Sequence, residues 1–440
     1  MTINDERYGQ QFLGAQTGHD PLAAGLPWRA KADALRWWRD ARFGMFVHFG
    51  VAASLGVELS WGRDLPRPFD VQAIFQPDGE PAQRIPHEQY DNLYRQFDPQ
   101  GFNARDWVDT AVSAGAGYLV LTTKHHDGFC LWDTAQTDYK ITSPDCPFGR
   151  DILAEVADAC HEAGLRLGLY YSQRDWHHPA YLRDGNADYQ KYMDAQLREL
   201  LTNYSTIDVL WFDSYGQSDL ETDWDVAATI AMARDLQPDI LINNRLAVLA
   251  DYNTGPARFW GDFDTPEHRI GAFQDGRPWE SCLTLAGHQW GFRPDAPIFS
   301  LRECIHALVR SAVGDGNLLL NVGPDAHGLI AAEQRARMAE FGSWLARHGS
   351  TLRGTRGYRV PEPAWGGVTQ SPDALYVHIL DWTRGPIRIP ADTSWDGTAH
   401  VLTGGTATIE RSDDHLIISV PEAIRDADDT IVELGRHPWK

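Results

Sequence analysis

One pattern constrains this chain more than any other. Between about residues 40 and 345, short apolar runs alternate with amphipathic helical patterns. The runs FGMFVHFG (43–50), YLVLTTK (118–124), LRLGLYYS (165–172), IDVLWFD (207–213), ILINNR (240–245), RFWGDF (258–263) and NLLLNVG (317–323) read as buried strands. They are apolar on both faces, as in a parallel sheet covered on each side. Helical patterns occupy about 103–115, 152–163, 187–203, 222–236, 300–312 and 331–348. In the second of these, Ile152, Leu153, Val156, Ala157, Cys160 and Ala163 recur at three- and four-residue steps, and Gly164 supplies a stop. Such alternation over about 300 residues predicts an α/β fold, a (β/α)8 TIM-like barrel, with a doubly wound sheet as the alternative. Polar residues at the ends of the runs favour the barrel: His48, Lys124, His125, His126, Tyr171, Asp213, Asn243, Asn244, Arg245 and Asp262. A barrel gathers those ends at one mouth, whereas an open sheet spreads them along a line.

Beyond about residue 350 the texture changes. LYVHIL (375–380), IRIP (387–390), HVLTG (400–404), HLIISV (415–420) and TIVEL (430–434) are short, β-rich and separated by Gly, Pro, Asp and Ser. They predict a small C-terminal antiparallel β-sandwich. The expected organisation is an N-terminal arm over 1–30, a catalytic barrel over 31–348 and the sandwich over 349–440.

Charge and composition narrow the partners. Thirty-nine Lys and Arg against sixty-one Asp and Glu leave a formal charge of −22, which repels nucleic acid and anionic membrane. A neutral or cationic small molecule remains the expected ligand. The aromatic share of 11% suits sugar sites, where rings cover the apolar face of a pyranose, but cores use rings too. Five scattered cysteines without a CxxC pair support neither a disulfide framework nor a zinc cluster. The first residues lack the basic start and apolar run of a signal peptide, and nothing approaches the roughly 18 unbroken apolar residues of a membrane span. The expectation is a cytoplasmic protein with no membrane partner; a homo-oligomer is compatible with the sequence. No GxSxG elbow, phosphate loop or GxGxxG after a strand occurs, so serine-hydrolase, NTPase and dinucleotide chemistry are disfavoured, and no cofactor is expected.

Asp213 closes the run 207–213. A carboxylate leaving a buried strand at a barrel mouth is held rigidly while its oxygens face the cavity, as a nucleophile requires; a helix cap or a salt-bridged loop residue is the plainer alternative. Glycoside cleavage commonly needs a second carboxylate. Asp262 at the end of the sixth expected strand, and Asp264, Glu267 and Glu280 after it, are all candidates, and the residues alone do not choose among them. In Lys124-His125-His126-Asp127, neighbouring histidines leaving a strand should point to different sides, which argues against both serving one metal. Neutral imidazoles are also suitable partners for sugar hydroxyls.

Seven segments carry a resemblance: RFGMFVHFG (42–50), YLVLTTKHHDGFCLWDT (118–134), GRDILAEVADACHEAGLRLGLYYSQRDWHHP (149–179), LWFDSYG (210–216), GDFDTPEH (261–268), PWESC (278–282) and GNLLLNVGPDAHGLI (316–330). Together the chain resembles the α-L-fucosidases of glycoside hydrolase family 29. The resemblance implies metal-independent, retaining hydrolysis of terminal α-L-fucose from a fucosylated carbohydrate. It implies Asp213 as nucleophile and Glu267, in the TPE motif, as acid/base, with Glu280 as the second candidate. His48, His125 and His126 match positions that bind fucose hydroxyls, Tyr171 and Arg245 match further pocket positions, and Trp211 lies beside the nucleophile. Trp61, Trp290 and Phe292 are candidates for packing against the C5 methyl of fucose.

One departure stands out. Many relatives carry Glu-Trp in the loop after the first strand; here Glu58-Leu59-Ser60-Trp61 places Ser60 where the Glu is expected, with Glu58 a substitute if the loop shifts. The departure motivates a second reading, a carbohydrate-binding pseudo-enzyme on the same scaffold or a hydrolase of a related glycoside. A third reading is a metal-dependent amidohydrolase using His48, His125 and Asp213.

Overall fold

The computed structural model describes residues 30–64, 84–213, 225–246, 261–287, 289–361, 363–391 and 394–436. Residues 1–29 of the expected N-terminal arm and residues 258–260 of the sixth expected strand lie outside the described residues.

In chain order the barrel elements are helix α1 (Ala32–Ala41), strand β1 (Phe43–Val47), α2 (His87–Tyr90), α3 (Ala104–Ser113), β2 (Tyr118–Lys124), α4 (Ile152–Ala163), β3 (Arg166–Tyr171), α5 (Ala187–Asn203), β4 (Val209–Phe212), α6 (Val226–Leu236), β5 (Leu241–Ile242), β6 (Glu280–Thr284), α7 (Leu301–Val313), β7 (Asn317–Val322) and α8 (Ala332–His348). The seven strands form one sheet in the order β5-β4-β3-β2-β1-β7-β6, every pairing parallel. Isolated parallel bridges continue it from both edges: Asn243 with Phe263 beside β5, and Asp264 with Trp279 and Glu267 with Cys282 beside β6. Residues 263–267 thus stand between β5 and β6 as an irregular eighth stave. Pro266 has no N–H to donate, which is one reason this stave forms bridges rather than a ladder.

Alternation along the strands divides two cores. Phe46, Tyr118, Val120, Tyr170, Val209, Trp211, Leu241, Cys282 and Leu319 pack inside the ring, and Trp38 of α1 joins them. Met45, Leu119, Leu121, Leu169, Tyr171, Phe212, Leu318 and Leu320 face outward onto the helices. Tyr118 fits inside because Gly44 sits beside it; a Cβ there would meet the Tyr118 ring at 2.4 Å. Helix ends follow local chemistry. Asp151 caps α4 by accepting from the Ala154 N–H, Gly164 ends it at φ 67°, and Ser300 with Glu303 forms a capping box on α7.

Three expectations shift. The run 240–245 is a strand only at Leu241–Ile242, followed by a 3-10 turn over Asn244–Leu246. β6 was not anticipated, because Glu280 and Ser281 interrupt its apolar pattern. The sixth expected strand is the irregular stave instead. All five cysteines are buried and unpaired.

The C-terminal strands are β8 (Arg356–Tyr358), β9 (Gly366–Gln370), β10 (Ala374–Ile379), β11 (Ile387–Pro390), β12 (Trp395–Val401), β13 (Thr408–Arg411), β14 (His415–Ser419) and β15 (Thr430–Arg436). They make a five-stranded sheet, β12-β15-β10-β9-β8, and a three-stranded one, β11-β14-β13, with antiparallel pairing throughout. Val377, Ile379, Val432 and Leu434 of one sheet share a core with Ile387, Ile389, Leu416 and Ile418 of the other. That is a sandwich.

Candidate active site

The C-terminal ends of the strands bring two carboxylates onto one guanidinium. Asp213 follows β4, Arg245 follows β5 and Glu267 ends the irregular stave. Arg245 Nη1 lies 2.9 Å from Asp213 Oδ1, and its Nη2 lies 2.9 Å from Glu267 Oε2. Arg245 is itself fixed: Nε donates to Thr265 Oγ1 at 2.7 Å, and the guanidinium stands 4.6 Å over the Trp211 ring. A planar, permanently charged fork suits this double task; a lysine would not.

The remaining contacts differ between the carboxylates. Asp213 Oδ2 accepts from the Tyr170 hydroxyl at 2.8 Å, and its backbone N–H donates to Gln173 Oε1 at 3.0 Å. Glu267 Oε1 accepts from the Trp290 indole N–H at 3.2 Å. Burial pushes both carboxyls up. For Asp213 the charge of Arg245, the nearby His125 and the bonds from Arg245 and Tyr170 outweigh it, and its pKa falls below the ordinary value. For Glu267 burial wins over Arg245, reinforced by the negative Asp213, and its pKa rises. Two carboxyls sharing one cation are therefore driven apart in proton affinity, which separates an acid from a base.

Histidines complete the wall. His48 Nδ1 pairs with Asn321 Oδ1 at 2.7 Å, His125 Nδ1 with Ser60 Oγ at 2.5 Å and His126 Nδ1 with Ser172 Oγ at 2.6 Å. Burial, with the neighbouring imidazole charge, lowers His48 to about 3; burial and Arg174, against Asp213, bring His125 to about 4; His126 is also pushed well down by burial. All three are neutral near pH 7 and able both to donate and to accept. Trp61 stands edge-on to His126 with ring centroids 5.2 Å apart, and Trp290 packs 5.0 Å from His48. Phe292 is half-buried against the outer core.

Several expected residues fall elsewhere. Tyr171 points outward: its hydroxyl accepts from Lys124 Nζ at 3.0 Å and donates to Gln196 Oε1 at 2.8 Å. Its neighbour Tyr170 faces Asp213, because side chains alternate along β3. Glu280 opens β6 at the opposite end of the barrel, where its carboxyl accepts from the Tyr118 hydroxyl and, at 3.1 Å, from the Trp211 indole N–H. Asp262 is held by Arg234 at 2.9 Å and Asp264 by Arg277 at 2.6 Å. Glu58 does not replace the missing glutamate: it accepts from the backbone N–H groups of Trp290 at 2.7 Å and Gly291 at 3.2 Å. Ser60 is fully buried behind His125.

The adjacent histidines also depart from expectation. A register irregularity between Thr122 and Lys124 ends the alternation of β2, so His125 and His126 lie on the same side, ring centroids 4.1 Å apart. Tyr170, Gln173, Asn321 and Thr265 were missed, as was Trp176, whose ring lies 5.2 Å from His126 and 5.3 Å from Trp61. None carried a signal in the sequence, since the phase of β3 that turns Tyr170 inward is hidden by the adjacent Tyr171.

Comparison with known proteins identifies the family. The α-L-fucosidase family model matches residues 26–350. The plasma α-L-fucosidase of Pongo abelii is 30% identical over 366 residues, covering 79% of this chain and 76% of that protein. The solved structure of α-L-fucosidase isoenzyme 1 from Paenibacillus thiaminolyticus superimposes with a TM-score of 0.78 at 34% identity, covering 92% of this chain and 99% of that one. A Bacteroides thetaiotaomicron family 29 fucosidase, trapped as a covalent intermediate with 2-fluoro-fucosyl fluoride, superimposes with a TM-score of 0.79 at 26% identity, covering 95% and 99%. Among the described residues no helix is long and apolar enough to cross a membrane. The chain belongs to the α-L-fucosidase family of glycoside hydrolases, family 29.

Proposed function

We propose that this enzyme removes terminal α-L-fucose by double displacement, with Asp213 as nucleophile and Glu267 as acid/base. The carrying observation is the pair of carboxyls bridged by Arg245, one with its pKa lowered and the other with its pKa raised. In the first step the Asp213 carboxylate attacks the anomeric carbon, the glycosidic C–O bond breaks, and Glu267 gives its proton to the departing oxygen. A glycosyl ester on Asp213 results. In the second step the Glu267 carboxylate takes a proton from water, the water oxygen bonds to the anomeric carbon, and the ester bond to Asp213 breaks. Microscopic reversal of the proton path returns both groups to their starting states. The covalent species trapped in the Bacteroides relative supports this reading.

The neutral imidazoles of His48, His125 and His126 supply hydrogen bonds to hydroxyls at no electrostatic cost to Asp213. Trp61 and Trp290 offer apolar surface for the sugar ring and its methyl group. Treatment with 2-fluoro-fucosyl fluoride should label the peptide containing Asp213, and label on any other peptide removes the nucleophile assignment. Glu267→Ala should lose about 10²–10⁴-fold in kcat/KM on fucosides with poor leaving groups and much less on activated aryl fucosides, with azide restoring turnover. Equal losses on both substrates, without azide rescue, would move the acid/base elsewhere.

A further inference from the structure

We propose that the same mouth binds a borderline divalent transition ion, Zn²⁺ or Cu²⁺, through His125, His126 and Asp213, and that the ion blocks the sugar site. Each of the three offers a ligand atom, all within 4.8 Å of one another. His126 Nε2 and Asp213 Oδ2 are already 3.8 Å apart. Ligands at the usual zinc bond lengths stand about 3.3 Å from each other in a tetrahedral site, so small side-chain rotations close the cage.

The orientation of the rings is built in. The Nδ1 atoms are held by the hydroxyls of Ser60 and Ser172 at 2.5 and 2.6 Å, which turns the Nε2 edges toward the cavity. Hydrogen bonds of this kind behind metal-bound imidazoles fix the ring and its tautomer. Arg245 occupies Asp213 Oδ1, so the ion takes Oδ2 and displaces the Tyr170 hydroxyl. A fourth position stays open to water. Two imidazoles select zinc or copper over magnesium and calcium, which prefer all-oxygen sites. The positive charge of Arg245 and Arg174 opposes the ion and makes this an inhibitory site of limited affinity.

Binding depends on the three ligand side chains and the groups around them; only the inhibition rests on the mouth being the fucose site. Zn²⁺ titrated calorimetrically into the full-length, chelator-stripped protein should bind one per chain. Affinity should fall at least ~10-fold in His126→Ala, and by a similar factor in Ser60→Ala, which removes only the support behind His125. Co²⁺ should give the visible absorption of an imidazole-bound ion, weakened in both variants. On an aryl fucoside Zn²⁺ should raise KM without changing kcat, a chelator should reverse it, and Mg²⁺ should do nothing. No binding, or binding indifferent to both substitutions, overturns the site. Binding with the expected signature but no competition with substrate keeps the metal site and instead removes the placement of fucose at this mouth. Should His126→Ala fail to fold, Ser60→Ala and the Co²⁺ spectrum of the unaltered protein decide.

Discussion

The two ends of the barrel both bury carboxyl groups, yet they handle them in opposite ways. At the mouth, Asp213 and Glu267 flank Arg245; the cation holds Asp213 below its ordinary value, while burial and the charge of Asp213 raise Glu267. At the floor, Glu280 lies among Tyr118, Trp211 and Trp38. Burial, against the bonds donated by Tyr118 and Trp211, pushes it up to about 7. Burial alone makes an acid. A cation between two carboxyls holds one down while burial and that neighbour's negative charge raise the other, the separation a two-step displacement uses.

Removing the bridge should produce the largest effect. Arg245→Met should lower kcat/KM by about 10³-fold, in the range seen when a preorganised electrostatic contact is lost. Without its cation Asp213 ionises at higher pH, and Glu267 also releases its proton later. Both limbs of the kcat/KM profile should move to higher pH, and unmoved limbs would show that Arg245 does not hold the two groups down.

The inward and outward faces of one strand offer a smaller contrast. Tyr170→Phe deletes the hydroxyl on Asp213 and should cost about 10-fold in kcat. Tyr171→Phe should leave activity within about 3-fold, yet lower stability by about 1–2 kcal/mol because Lys124 and Gln196 lose a buried partner. Equal kinetic losses in the two variants would contradict the alternation along β3.

The floor should respond least in activity. Glu280→Gln should keep kcat/KM within about 3-fold while changing the pH dependence of stability. In the folded chain Glu280 keeps its proton up to about 7, whereas the unfolded chain releases it near the ordinary carboxyl value. The folded state binds the extra proton between those values, so stability falls as pH rises through that window. Denaturant unfolding at pH 5 and pH 8 should show the Gln variant losing less over the interval, by on the order of 2 kcal/mol. Parallel behaviour of the two proteins would mean that Glu280 does not carry the shift. Glu58, also raised to about 7 by burial against N–H groups from Trp290 and Gly291, contributes a second slope of the same sign in both proteins.

Much of this was legible in the chain. Apolar runs covered on both faces, spaced by amphipathic helices, specify a parallel α/β ring, and β2 runs over the residues its pattern marks out. The resemblance singled out Asp213 after β4 and Glu267 in the TPE segment, with Glu280 as its second candidate, and the first two are the carboxyls that meet Arg245. What failed to show were features that depend on parity or on distant partners. The choice between Tyr170 and Tyr171 needed the phase of β3, which two adjacent tyrosines hide. The common side of His125 and His126 needed the irregularity at the end of β2. Glu280 and Glu267 lie thirteen residues apart in one acidic stretch; only their bridges to β6 send them to opposite ends of the barrel.

Local periodicity, turn residues and motif spacing determined the class of fold, most of its strands and the residue types able to cleave a glycoside, because those properties live in short stretches of chain. Which carboxyls meet, which one keeps its proton and which way each ring turns were decided by closure of the barrel. Proton affinity and orientation depend on burial and on charges from elements far apart in sequence: the Arg245 that follows β5 and the Trp290 that lies beyond β6 meet Glu267 only once the ring is complete.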